Sequence, residues 1–84
     1  MKTGELVIWH DAEGKAHDAL VTCVWSDTCI NVVFVSDDNN KTDNYGRQLE
    51  RATSCQHVSL AGAYGYYWRR VGEEPKEYKA PQAT

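Results

Sequence analysis

The 84 residues predict an all-β fold, a small five-stranded barrel of the SH3-like type with a flexible C-terminal tail. Three observations carry this. The stretch Ala19–Ser36, ALVTCVWSDTCINVVFVS, is two apolar runs, Ala19–Trp25 and Cys29–Val35, split by the polar turn Ser26-Asp27-Thr28. Val, Ile, Thr, Phe and Trp dominate both runs, which is strand composition, so together they read as a central β-hairpin. Three further strand-like segments flank the hairpin, separated by one tight turn, one longer polar loop and one short connection.

In chain order, Glu5–His10 (ELVIWH) is the first strand. Asp11-Ala12-Glu13-Gly14-Lys15 follows as a tight turn, with Gly14 free to take positive φ. Ala16–Trp25 is the long second strand and Cys29–Ser36 the third. DDNNKTDN, residues 37–44, is a polar loop without the spacing or closing Glu of a calcium loop. Tyr45–Cys55 is a fourth strand, because Gly46 and the Thr53-Ser54 pair weaken the helical alternative. Gln56–Ala63 is a connection with room for one helical turn, and Tyr66–Val71 (YYWRRV) is the fifth strand. From Gly72 onward both prolines and several charges make a tail. Residues 1–71 are thus expected to form the barrel and 72–84 the tail.

Side chains alternate across a strand, so Ile30, Val32 and Phe34 share one face of the hairpin, while Cys29, Val33 and Val35 share the other with Asn31. Leu20, Thr22 and Val24 likewise oppose Ala19, Val21, Cys23 and Trp25. Both faces are substantially apolar, whereas a half-solvated antiparallel sheet usually shows a cleaner alternation. Two explanations stand: a tightly curled barrel with scattered outer apolar residues, or a second face buried against another subunit.

A chain this short buries only about 60–65% of its unfolded surface, so association adds burial that a lone copy lacks. The formal charge of −3 counts against holding nucleic acid by charge alone. The N-terminus has no signal-peptide pattern, and no run approaches the roughly 20 apolar residues of a membrane span. A cytoplasmic protein is therefore expected. Cys23, Cys29 and Cys55 lack CxxC spacing and read as reduced, strand-buried small hydrophobes.

The strongest chemical signal is the aromatic and basic cluster Tyr64, Tyr66, Tyr67, Trp68, Arg69, Arg70. Aromatic faces stack bases and arginine forks grip phosphate. Arg47 and Arg51 on the preceding strand add positive charge, and Gly62 and Gly65 flank Tyr64. The structural alternative has Tyr66 and Trp68 filling the barrel while Tyr67 and Arg69 face water. His57 either orients a loop or contacts a nucleotide. Cys55-x-His57 lacks zinc-finger spacing, so no metal and no cofactor are expected. Ser54 and His57 lack a nucleophile elbow, and there is no P-loop or dinucleotide GxGxxG, so the chain is not expected to be an enzyme.

The order of segments GELVIWHDAEGKAHDALVTCVW, CINVVFVSDDN, YGRQLERATSCQH and GYYWRR, with Ser54-x-x-His57 and an aromatic last strand, resembles a loose set of very small bacteriophage proteins with SH3-like barrels of the KOW and Tudor types. The resemblance covers about residues 4–70. It implies a phage-type origin, and some small phage proteins inhibit host immunity as oligomers that sequester nucleotide signals. On that basis the expected function is a non-enzymatic, homo-oligomeric sponge in the host cytoplasm for a nucleotide-derived immune signal. Tyr64, Tyr67 or Trp68 would stack the base, Arg47, Arg69 and Arg70 would hold phosphates, and His57 would add a hydrogen bond. The alternative is a protein–protein interaction module that blocks a host protein or serves in virion assembly, with the acidic loop 37–44 as a contact surface. Nucleic-acid binding by a KOW-like barrel is a weaker third.

Overall fold

The computed structural model describes residues 1–60 and 65–76. The strands are β1 (Leu6–His10), β2 (Ala16–Val24), β3 (Cys29–Val35), β4 (Thr42–Asp43), β5 (Gly46–Arg47), β6 (Leu49–Gln56) and β7 (Tyr67–Arg69). A 3-10 turn over Val58–Leu60 precedes β7. β1, β2, β3 and β6 follow one another as an antiparallel meander, and β7 returns beside β1, giving the order β6-β3-β2-β1-β7. The sheet curls into a half-barrel. A parallel bridge between His57 and Trp68 ties its two ends together. This is the all-β, five-strand, SH3-like arrangement expected from the sequence.

Local chemistry makes each turn. Asp11 Oδ1 accepts the N–H groups of Glu13 and Lys15, and Gly14, at φ 84°, carries the chain back. Ser26 Oγ accepts from the N–H groups of Thr28 and Cys29 and closes the β2–β3 turn. The polar stretch 37–44 is more ordered than a plain loop. Thr42–Asp43 pairs with Gly46–Arg47 as a small side hairpin, and Asp38 and Asp43 cap their own turns through the N–H groups of Asn40 and Tyr45.

The concave face holds the core: Val7, Trp9, Ala19, Val21, Ile30, Val32, Phe34, Cys55 and Trp68. Ile30, Val32 and Phe34 point inward together, as alternation predicts. Val24 departs from it. The register between β2 and β3 shifts between Val21 and Cys23, so Thr22 and Cys23 together face Asn31. That extra residue turns Val24 from the Leu20 face to the core. A second shift lies between β3 and β6, again at Asn31, and there Ser54 takes φ 52°. The Asn31 amide oxygen accepts from Ser54 N–H at 2.8 Å and from the Trp25 indole N–H at 3.0 Å, holding both irregularities.

Candidate interaction face

β7 and the chain after it cover one part of the outer face. His10, on the outer face of β1, lies opposite Tyr67. Their rings stack at 4.6 Å between centroids and 12° between planes. After β7 the chain folds back: Glu73 N–H donates to Arg70 O, and Lys76 N–H donates to the Tyr67 hydroxyl, which in turn donates to Lys76 O. The Arg69 guanidinium donates through Nε to His10 Nε2 at 3.0 Å and through Nη1 to Glu73 O at 2.9 Å. Because His10 Nε2 accepts, its proton sits on Nδ1, which donates to Gly14 O at 3.2 Å. Burial lowers the His10 pKa, with Arg69 acting the same way and the Gly14 carbonyl opposing them. The tail expected from Gly72 is thus bonded to the barrel as far as Lys76. Residues 77–84 lie outside the described residues.

The predicted ligand residues distribute differently from the expected site. Trp68 is 0% exposed and its indole N–H donates to Thr28 O at 2.9 Å, so it is a core side chain with no face open to a base. Tyr67 is 6% exposed, and Tyr66 is the exposed member of the pair at 45%. The structural alternative holds for Trp68, which fills the core, and is reversed for Tyr66 and Tyr67, because Tyr67 has the returning segment over it and Tyr66 does not. Tyr66 leans on Trp9 at 6.0 Å and donates to Thr53 O. Arg47 donates to Ser36 O and Asn39 Oδ1, and among the described residues makes no hydrogen bond or ion pair with β7. Arg70 lies 5.2 Å over the Trp68 ring. His57 sits edge-on to Trp68, with Nδ1 against Ser59 Oγ at 2.8 Å and Nε2 against Glu73 Oε1 at 2.9 Å. The His57 contact, followed by the Arg70 N–H, lowers the Glu73 pKa. Arg69, Arg70 and His57 therefore converge, on Glu73 rather than on an open pocket. Ser54 and His57 are not joined: Ser54 N–H goes to Asn31 and both His57 nitrogens are engaged. Tyr64 and Gly62 lie outside the described residues.

A cluster the sequence reading missed lies at the mouth of the core. His17 packs against Phe34 at 4.9 Å and Trp9 at 5.4 Å, with Nε2 2.9 Å from Asp11 Oδ2 and Nδ1 3.6 Å from Asp37 Oδ2. One ligand atom from each of the three lies within 4.8 Å of the others. The Lys15 ammonium is 3.0 Å from the same Asp37 oxygen. Burial works to raise the Asp11 pKa, but the His17 bond and the Lys15 and Glu13 N–H groups outweigh it and hold the carboxyl low. These carboxylates are occupied by internal cations and donors, and the cluster fastens the β1–β2 turn to the 36–48 region. Alternation on β2 would have placed His17 inward beside Trp9.

Cys55 is buried, and burial pushes its thiol up to about 11. The Trp9 indole N–H, in the same core, is the buried polar side-chain atom left unpartnered among the described residues, so it gives this thiol no hydrogen bond. Such a thiol is a poor nucleophile.

The rest of the outer face is open. The pairing register lays Leu6 beside Leu20, Leu20 beside Val33, and Val35 beside Leu49, across four adjacent strands. Leu6, Leu20, Val35 and Leu49 are 50%, 46%, 52% and 66% exposed. With Val33, Phe34 and Asp18 they line a groove of about 200 Å³. A contiguous apolar stripe of this kind differs from scattered surface leucines. No protein-family model matches the chain, and no curated protein and no solved structure shows significant similarity to it.

Proposed function

We propose that this chain is a non-enzymatic binding module that acts through protein–protein contact on its open outer face. The observation that carries this reading is the apolar stripe Leu6, Leu20, Val33, Val35, Leu49, continuous over β1, β2, β3 and β6. It supports the subunit-burial explanation of the two-faced hairpin. The engagement of Arg47, Arg69 and His57 in internal bonds weighs against a phosphate grip built from them. Sequestration of a nucleotide-derived signal by a phage-type protein is the second reading, favoured by Tyr66 and Arg70, which are exposed beside the same strand.

The test is native mass spectrometry of the full chain recovered from bacterial cells, compared with Leu20→Lys and Val35→Lys. A complex, with itself or with another protein, that both variants dissolve supports the proposal. A bare monomer in the wild type overturns it. A gain of nucleotide mass unaffected by either variant moves the function to the nucleotide reading.

A further inference from the structure

We propose that the open stripe is the interface of a symmetric dimer of this chain, with the two-fold axis crossing β3 between Val33 and Val35 and joining Asp18 of each copy to Arg51 of the other. This rests on the reading of the stripe as a protein-contact surface and names its occupant.

The geometry comes from the strand register. Leu20 pairs with Val33 and Ala19 with Phe34, so Asp18, one residue further, lies level with Val35 on the strand to one side of β3. Arg51 pairs with Val33 on the strand to the other side. Asp18 and Arg51 alternate with inward residues and so share the outer face with the stripe. Strands lie about 4.8 Å apart, and same-face neighbours along a strand about 6.8 Å apart. The point midway between Val33 and Val35 is therefore also the midpoint of the line from Asp18 to Arg51. Rotation by half a turn about an axis through that point, in the plane of the face and perpendicular to that line, carries each charge onto the position of the other. The same rotation sets Leu20, Val33, Val35 and Leu49 against the same stripe of the second copy.

Charge supplies the second support. Neither the Asp18 nor the Arg51 side chain has an ion pair or hydrogen bond among the described residues, which is also true of Lys2, Glu5, Glu13, Asp27 and Glu74. What sets Asp18 and Arg51 apart is that the register places them on the outer face at either side of Val33 and Val35. An apolar partner without matching charges would leave both buried and unpaired, which is costly. A second copy satisfies both at once. Such a contact is isologous, the commonest form of homodimer.

Sedimentation velocity on the full chain tests this. The wild type is expected to be a dimer. Asp18→Arg and Arg51→Asp, each alone, set like charges together at two symmetric places and should weaken the dimer about tenfold or more. The double reversal D18R/R51D should restore it. Circular dichroism checks that every variant is folded. A dimer whose double reversal stays as weak as the singles overturns the Asp18–Arg51 pairing. A wild-type monomer overturns the dimer. If a chain ending at Lys76 then dimerises, residues 77–84 are the occupant of the stripe. If native mass spectrometry instead finds a foreign protein that Val35→Lys releases, the stripe remains a contact surface and only its occupant was wrong.

Discussion

The two halves of the outer face make an instructive pair. At β1 and β7 the chain covers its own sheet: Tyr67 stacks on His10, Arg69 ties His10 to Glu73, and Lys76 bonds the Tyr67 hydroxyl. At β2, β3 and β6 nothing described lies over Leu20, Val33, Val35 and Leu49. The covered half carries the polar groups His10, Arg69 and the Tyr67 hydroxyl; the returning segment satisfies Arg69 and the Tyr67 hydroxyl, while His10 is held by Arg69 and the Gly14 carbonyl. The open half carries an apolar stripe, Leu20, Val33, Val35 and Leu49, with Asp18 and Arg51 at its sides. Both halves are outward positions of the same sheet, so strand alternation treats them alike. What separates them is whether a later piece of chain returns to them. The proposed contact lies on the half that its own chain leaves open.

Ways to break this contrast can be ranked by their expected size. Trp68 is the reference, since it joins the core to both ends of the half-barrel. Trp68→Ala should cost about 3–5 kcal/mol, read as a fall in the urea midpoint. A loss under about 1 kcal/mol would mean that β7 is not part of the cooperative core.

The covered half should respond next. Tyr67→Phe removes the hydroxyl that holds Lys76 and should cost about 0.5–1.5 kcal/mol per hydrogen bond lost. Amide hydrogen exchange should quicken in 72–76 and stay unchanged in β2 and β3. Exchange rising uniformly over the chain would show that the covering segment is no separate unit.

Acid should loosen the same half first. The folded-state pKa of His10 lies below its ordinary value of 6.5, so the unfolded chain binds the proton more readily. Stability from this group is complete above that value and is lost as pH falls through it towards the folded pKa. Asp11 and Glu73, also held low, lose their contributions only further down, as pH falls below the ordinary carboxylate range. Thermal midpoints measured from above to below 6.5 should fall in the wild type and stay flatter in His10→Gln. Parallel curves would remove His10 from this role.

The open half should be nearly indifferent within one copy. Val35→Thr should change monomer stability by less than about 0.5 kcal/mol, measured at dilution where association is absent. A cost several times larger would mean that the stripe is already covered within the monomer.

Much of the fold was legible because it is written locally. The hairpin Ala19–Ser36, the Asp11–Lys15 turn, the short turn before the last strand and the inward set Ile30, Val32, Phe34 follow from composition, turn residues and alternation alone. Val24 was not legible: a bulge adds one residue without a sequence mark, and every later side chain on the strand changes face. Asn31, whose amide holds both bulges, looks like one more polar residue on an outer face until Ser54 and Trp25 are brought to it. The aromatic-basic strand was legible as important, but its two possible roles, core or ligand site, were not separable from the sequence. Six consecutive strand positions show which residues alternate, but not which face another segment will cover.

The sequence by itself determined the class of the molecule, the five strands of its main sheet apart from the start of the fourth, which the side hairpin of Thr42–Asp43 with Gly46–Arg47 moves to Leu49, and the apolar character of both sheet faces, because those depend on neighbours a few residues apart. Only the tertiary structure decided that Trp68 belongs to the core, that Arg69 and His57 meet at Glu73, and that one apolar half stays open while the other is covered. Those outcomes depend on where Gly72–Lys76 returns relative to β1, a placement set by contacts between residues some sixty positions apart, such as His10 and Arg69.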